Sequence, residues 1–284
     1  MARILIAGCG YVGEAAANLF HERQWEVEGW TSSAQSAARL ASRPYPVRSV
    51  DLTDPAAVAG ASGEFDVVVQ CVSTSGGDAE GYRRLYLEGA RNLIHSFPRS
   101  TLLFTSSTSV YAQKEGALVN EASPAEPVHE KGRVLRETEK LVLANEGIVA
   151  RLGGIHGPGR SFFLSRFLEG AAVVDPGDRR FINQVHRDDI VSALLLLTER
   201  RSDCAGEIYN VVADRPIRAR EAYEWLSLRL ARPLPPAARR DVQRRRGESN
   251  KQVSNAKLRA LGWEPQYPTF EAAMTESILP SFGL

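Results

Sequence analysis

Short apolar runs alternate with longer amphipathic stretches along the first half of the chain. Ile4–Ala7, Trp25–Trp30, Val47–Leu52, Phe65–Val72, Thr101–Thr105 and Ile148–Leu152 predict strands. Glu14–Phe20, the stretch following Thr31-Ser32-Ser33 as far as Leu40, Asp78–Phe97 and Lys131–Asn145 predict helices, and Asp54-Pro55 signals the start of another. In Asp78–Phe97, helical spacing puts Tyr82, Leu85, Tyr86, Gly89, Leu93 and Phe97 on one broad face. Phe65–Val72 is β-branched on both faces, as in the middle of a parallel sheet. The alternation of strand and helix predicts an α/β fold with a doubly wound parallel sheet.

Glu115–Pro127 reads as a loop, and beyond Gly153 the pattern breaks into shorter pieces. These are a helix near Phe162–Gly170, a turn at Asp175-Pro176-Gly177-Asp178 and a strand near Arg180–Val185. A helix over Arg187–Arg200, a strand over Gly206–Val212 and a helix over Arg218–Ala231 follow. In Arg187-Asp188-Asp189, Asp188 reads as the helix N-cap and Asp189 as first-turn charge.

The first strand runs into Gly8-Cys9-Gly10-Tyr11-Val12-Gly13, and a helix opens directly after it. Gly8, Gly10 and Gly13 fit the G-x-G-x-x-G spacing of dinucleotide-binding βαβ units. The first glycine permits a tight turn, the second a close approach of backbone to pyrophosphate, the third close packing of helix on strand.

The 284 residues suit one large α/β domain or a core with a smaller appendage. A formal net charge of +1 supplies no general attraction to nucleic acid or to an acidic membrane surface. No apolar run reaches membrane-spanning length, and the first strand leaves no room for a signal peptide, so a cytoplasmic chain is expected. Cys9, Cys71 and Cys204 have no metal spacing, and the histidines have no second ligand nearby, so no metal site is expected.

Further motifs follow in order: Asp51-Leu52, Ser106-Ser107-Thr108-Ser109-Val110-Tyr111, Arg151-Leu152-Gly153-Gly154-Ile155-His156-Gly157-Pro158-Gly159-Arg160, Val185-His186-Arg187-Asp188-Asp189-Ile190, Tyr209-Asn210-Val211 and Val253-Ser254-Asn255-Ala256-Lys257-Leu258. With the glycine turn they make the chain resemble the extended short-chain dehydrogenase/reductases, the NAD-dependent epimerase/dehydratase group. The resemblance implies a Rossmann-like NAD(P)-binding core over residues 1–153. It also implies a smaller α+β substrate region over 154–284, with 186–212 returning to the core. The implied cofactor residues are Gly8, Cys9, Gly10, Tyr11, Val12, Gly13, Thr31, Ser32, Asp51, Leu52, Cys71, Val72 and His156. Asp51 and Leu52 would flank the adenine, though Asp51 also reads as a cap or turn residue. His156 would lie toward the nicotinamide.

Family enzymes combine a Ser or Thr with a Tyr-x-x-x-Lys pair, in which the tyrosine is the general acid/base. Ser107 sits where the hydroxyl belongs, and reads equally as a turn serine at a strand end. The Tyr-x-x-x-Lys pair is missing. Aligned on Gly132 and Glu139, Lys131 takes the tyrosine position and Leu135 the lysine position. Tyr111, Lys131 and His129 are the substitute acid/base candidates, with packing for Tyr111 and a solvated helix start for Lys131 as the alternatives. His186 reads as structural. Two functions follow: an oxidoreductase or epimerase acting on a small hydroxyl or keto substrate, a nucleotide sugar among them, or an NAD(P)-binding sensor without turnover.

Thr31-Ser32-Ser33 occupies the stretch where a ribose-binding carboxylate belongs, and Glu28 comes too early to replace it. With Arg39 and Arg43 near, this points to NADP over NAD. Arg239-Arg240 and Arg244-Arg245-Arg246, followed by Lys251, read as a solvated surface or as a loop closing over an anionic substrate. Family members often form a homodimer through two long helices, here Asp78–Phe97 and Lys131–Asn145. Arg133, Arg136, Glu137, Glu139 and Lys140 on the second argue against an apolar interface there.

Overall fold

The computed structural model describes every residue except Ser62, Ser75 and 240–248, and divides the chain into two units. The first comprises Met1–Val110, Glu126–Arg151 and Ile190–Tyr209; the second comprises Tyr111–Ala125, Leu152–Asp189 and Asn210–Leu284. Tyr111–Ala125 thus groups with the later segments, not with the N-terminal ones.

The first unit is built on a seven-stranded sheet. In chain order its first five strands are β1 (Arg3–Ala7), β2 (Glu26–Thr31), β3 (Val47–Ser49), β4 (Val67–Gln70) and β5 (Thr101–Ser107). Ile148–Leu152 and Ile208–Val211 complete it, in the spatial order Ile208–Val211, Ile148–Leu152, β5, β4, β1, β2, β3. β1 pairs parallel with both β2 and β4, and Ile4, Leu5 and Ile6 are fully buried. A strand with neighbours on both edges and helices on both faces needs apolar residues at successive positions.

β3 and β4 are shorter than their apolar runs. β3 ends at Ser49, leaving Asp51 and Leu52 beyond it, and β4 spans Val67–Gln70, leaving Cys71 and Val72 in the following turn. Arg180–Val185 splits into Phe181–Ile182 and Gln184–His186. Asn183 between them bonds sideways, donating to Lys251 O and accepting from Val253 N. Glu115–Pro127 contains a short strand, Ala117–Val119, paired with Lys251–Val253.

Asp78–Phe97 is helical throughout but changes pitch. Arg83–Glu88 forms a π-turn between the α-helical segments Ala79–Tyr82 and Gly89–Ser96. The wider turn shifts the inward face, so that Leu87 is buried beside Tyr86. Gln70, fully buried, donates from Nε2 to the carbonyls of Tyr86 (3.1 Å) and Leu85 (3.3 Å), groups that a π-turn frees from the regular ladder.

A charge cluster lies inside the first unit. Glu139, on helix Glu130–Ala144, is fully buried. It accepts from Ser106 Oγ at 2.6 Å, from Arg151 Nε and Nη2 at 3.0 and 2.7 Å, and from Arg136. The cluster joins that helix to β5 and to Ile148–Leu152. Removing one partner of such a pair leaves an uncompensated buried charge. Glu139→Ala is expected to lower stability by about 3–5 kcal/mol in urea unfolding. Glu139→Leu with Arg151→Met is expected to recover most of the loss; a loss of under about 1 kcal/mol for Glu139→Ala contradicts this account.

Candidate functional site

The glycine turn closes β1 of the first unit. Gly8 and Cys9 both donate backbone N–H groups to Trp30 O (3.1 and 2.7 Å), which bends the chain over the end of β2. Gly8 has φ +109°, and a Cβ there would lie 2.7 Å from Val72 N and 2.8 Å from Cys71 C. A Cβ on Gly13 would collide with the Gly8 carbonyl oxygen and sit 2.9 Å from Cys71 Sγ. Gly10 differs: a Cβ there meets nothing within 4 Å. It is exposed, and it caps helix Tyr11–Glu22 without any side-chain hydrogen bond. The turn therefore presents bare backbone and a helix N-terminus to one open side, a cradle that fits a pyrophosphate.

The neighbouring residues implied for cofactor binding have distinct environments. Thr31 is buried, its hydroxyl donating to Ser33 O at 3.1 Å, whereas Ser32 is exposed. Asp51 is exposed and accepts the N–H of Thr53 at 2.9 Å; Leu52 is buried. Asp54, not Asp51, caps helix Pro55–Gly60. Cys71 lies under the turn, donating to Gly8 O at 3.3 Å, with its thiol pushed upward by burial and then by Cys9. Burial, followed by Glu14, pushes Cys9 up to about 12, while Arg43 and Arg39 act in the opposite direction. Both arginines thus lie within electrostatic reach of the turn, and Arg43 also pairs with Glu14. Glu28 is mid-strand and accepts from Trp30 Nε1 at 2.7 Å.

Ser107 ends β5, half-buried, and its Oγ accepts the N–H of Ser109 at 3.1 Å. Lys131, on the first turn of helix Glu130–Ala144, donates to Gly77 O at 2.5 Å and stands 5.1 Å from the Tyr82 ring centroid. Leu135 is buried one turn further along. His129 is the helix N-cap residue, without a side-chain cap bond.

Tyr111 and His156 belong to the second unit. Tyr111 is fully buried and donates to Asn210 Oδ1 at 3.0 Å; Asn210 in turn donates to Glu121 Oε1 and Ser254 O. His156 is 2% exposed, stacked on Phe270 and 5.9 Å from the His186 ring, and its buried Nδ1 has no hydrogen-bond partner among the described residues. Burial, then His186, pushes it down to about 3.

His186 corrects the reading of the following helix, which begins at Arg187. Its Nδ1 accepts the backbone N–H of Asp188 at 3.1 Å, so the imidazole occupies the capping place expected of Asp188. A backbone N–H can only donate, so the hydrogen-bond network assigns the ring proton to Nε2, facing Ser277 Oγ at 3.0 Å. That tautomer makes His186 a donor to the serine and not a base. Burial pushes His186 down to about 4. Asp189 lies in the first turn of that helix, as expected, and is buried there. It accepts from the backbone N–H groups of Gln266 (2.6 Å) and Tyr267 (3.1 Å), and burial raises it to about 6 against those bonds.

The Glu139–Arg151 pair was readable as a signal and was missed. Glu139 shares a helical stripe with Leu135 and Val142, and Arg151 interrupts an apolar strand. An acid and a base on two apolar faces mark a buried pair. Arg240 and Arg244-Arg245-Arg246 lie outside the described residues. Among the described residues no His/Cys/Asp/Glu group could hold a metal ion, and no helix is long and apolar enough to cross a membrane.

Each depressed histidine binds its proton more readily in the unfolded chain, so its contribution to stability falls as pH drops below about 6.5. Asp189 acts oppositely: its folded carboxyl holds the proton more tightly between about 3.8 and 6, so its contribution falls as pH rises through that window. His156→Phe keeps the ring stack and removes one such proton. Urea unfolding at a series of pH values is expected to show the slope of stability against pH, between about 4 and 6, reduced by about 1.4 kcal/mol per pH unit relative to the native chain. An unaltered slope means that His156 is not held neutral.

Residues 4–212 match the family model described as the NAD dependent epimerase/dehydratase family. Protein YeeZ of Escherichia coli (strain K12) is 30% identical to this chain, with 94% of this chain and 97% of YeeZ covered. A Methylobacillus flagellatus structure, proposed in its description to be an NAD-dependent epimerase/dehydratase, superposes with a TM-score of 0.84 at 27% identity, covering 100% of this chain and 99% of its own. A dTDP-glucose 4,6-dehydratase from Bacillus anthracis in complex with NAD shares the fold with a TM-score of 0.82 at 17% identity, covering 100% and 97%. With a family model spanning most of its length and a curated relative along nearly all of it, the chain belongs to the NAD dependent epimerase/dehydratase family.

Proposed function

We propose that this chain is an NAD(P)-dependent oxidoreductase or epimerase for a small hydroxyl- or keto-bearing substrate. The dinucleotide would lie on the Gly8–Gly13 turn and the substrate on the second unit. The observation that carries the reading is the difference among the three glycines. Two are filled by the protein's own backbone and thiol, and the third faces open space. The nicotinamide dinucleotide supplies the hydride chemistry when bound. Ser107 has accepted the Ser109 N–H, which leaves its own hydroxyl proton to donate to a substrate oxygen. Nucleotide sugars are a candidate substrate class, supported by family membership and by the likeness to a dTDP-glucose dehydratase.

NADP is the proposed cofactor form. The end of β2 carries Thr31, Ser32 and Ser33 where a carboxylate would repel a 2′-phosphate, and Arg39 and Arg43 both act on the turn. Lys131 as acid/base has less support, because its ammonium is committed to Gly77 and Tyr82. That commitment, with Leu135 buried where a lysine belongs, favours a second reading: a dinucleotide-binding protein without turnover. Nicotinamide absorbance followed with a panel of small ketones and keto sugars separates the two. Turnover abolished by Ser107→Ala supports the enzyme, and no turnover with any of them supports the second reading.

Gly10→Ala is expected to fold with native stability and to bind the dinucleotide at least about tenfold more weakly, since its methyl group enters only ligand space. Gly13→Ala is expected to be destabilised as well. Equal dinucleotide affinity in Gly10→Ala and the native chain overturns the reading. Calorimetric titration is expected to give tighter binding of NADP than of NAD, with the preference reduced about tenfold or more in Arg39→Ala/Arg43→Ala. Tighter NAD binding by the native chain refutes the NADP proposal.

A further inference from the structure

Two residues at the start of the π-turn reach helix Glu130–Ala144 of the same unit. Tyr82, just before the turn, has its ring centroid 5.1 Å from Lys131 Nζ. Arg83, its first residue, donates to both carboxylate oxygens of Glu137, at 2.6 and 3.2 Å. Gly77, whose carbonyl takes the Lys131 ammonium at 2.5 Å, adjoins Asp78, the N-cap of Ala79–Tyr82, which accepts the Gly81 N–H at 2.8 Å. Both groups that engage Lys131 among the described residues thus lie N-terminal to the π-turn.

A π-turn carries one residue more than the α-helical turn it replaces. Relaxation to α pitch passes that residue toward one end, which displaces a flank by about 1.5 Å along the axis and about 100° around it. The C-terminal flank is held by packing. Gly89, Ala90 and Leu93 are buried, and a Cβ on Gly89 would lie 3.4 Å from Leu52 Cβ and from Gln70 Nε2. The N-terminal flank, Ala79–Tyr82, buries none of its residues. That flank is the one able to turn. The extra residue is kept in place by Gln70, whose Nε2 donates to the carbonyls of Tyr86 and Leu85. A carbonyl only accepts, so these bonds fix the orientation of the amide. At α pitch the carbonyls would return to the backbone ladder and the fully buried Gln70 amide would lose them, which is unfavourable.

We infer that Gln70 is a positioning residue: by pinning the extra residue of the π-turn, it sets the helix register in which Tyr82 and Gly77 hold Lys131. In the pinned register the amine at the position of the missing tyrosine is engaged. In the relaxed register Tyr82 and Arg83 turn away from helix Glu130–Ala144, and Lys131 is released. Such a one-residue slip gives the element two discrete arrangements rather than a continuum. Gln70 directly precedes Cys71 and Val72, whose backbone packs against Gly8, so the pin belongs to the strand end that supports the dinucleotide turn. The inference concerns the state of Lys131 alone, and holds whether the chain turns over a substrate or only binds a dinucleotide.

The test treats the full chain with limiting acetic anhydride and follows acetylation of Lys131 by mass spectrometry against Lys140, an exposed lysine on the same helix. Gln70→Leu removes the donor while filling its space. It is expected to raise the Lys131 rate at least about fivefold relative to Lys140, as the released fraction grows. Overhauser contacts between the Tyr82 ring and the Lys131 side chain, expected in the native chain, are expected to disappear in that variant. Deletion of the exposed Arg84 from the Gln70→Leu chain removes the extra residue, so an α-helical turn joins the flanks in their native places. The Lys131 rate is then expected to return to within about twofold of native. A general loss of stability would be deepened by the deletion, not reversed. Gln70→Met takes the place of Gln70→Leu should the latter fail to fold. An unaltered Lys131 rate in the Gln70 variant overturns the inference, as does a raised rate that deletion of Arg84 leaves raised.

Discussion

The first unit depends on one close approach between backbone segments, at the C-terminal ends of β1 and β4. Gly8 lies so near Cys71 and Val72 that no side chain fits between them, and Gly13 lies so near Gly8 that the same holds there. Interior packing at this density admits no extra methyl group without displacement of its neighbours. The parallel pairing of β1 with β4 and the seating of helix Tyr11–Glu22 both follow from that contact. The open side above Gly10 is its complement, because the turn that packs so tightly underneath leaves its outer face bare.

A second constraint concerns charge. Glu139 is held by Ser106, Arg136 and Arg151, so the serine beside Ser107 is bonded into the interior before any ligand arrives. Ser107 therefore sits on a rigid strand end, its orientation set by a neighbour whose hydroxyl is already used. Helix Glu130–Ala144, which carries Glu139 inward, turns Lys131 toward Gly77 and Tyr82. The departure from Tyr-x-x-x-Lys thus has a physical form: the lysine at the tyrosine position braces a loop, and the leucine at the lysine position fills core.

The second unit treats polar side chains differently. His186 caps a helix and donates to Ser277, Asp189 pins the backbone at Gln266 and Tyr267, and His156 stacks on Phe270 with one nitrogen unpartnered among the described residues. Burial is the leading cause of the shift at each of them, and it drives histidines and aspartate alike toward their neutral forms. Asp189, raised only to about 6, still carries its charge at neutral pH.

By itself the amino-acid sequence determined the strand–helix alternation, the parallel sheet and the glycine turn, because apolar periodicity and glycine spacing are local properties that the chain carries before it folds. It did not determine where strands end. β3 and β4 stop short of their apolar runs because pairing with a neighbour, and not hydrophobicity, sets the length of a strand. Nor did it show the π-turn at Arg83–Glu88, whose freed carbonyls are taken up by Gln70 from a distant strand. Glu139 read as one charge among several on a polar helix and Asp189 as first-turn charge, and only the fold brought Arg151 and Ser106 to the first and the backbone of Gln266 and Tyr267 to the second. Which polar groups are buried depends on partners far away in the chain, and only tertiary structure supplies those partners.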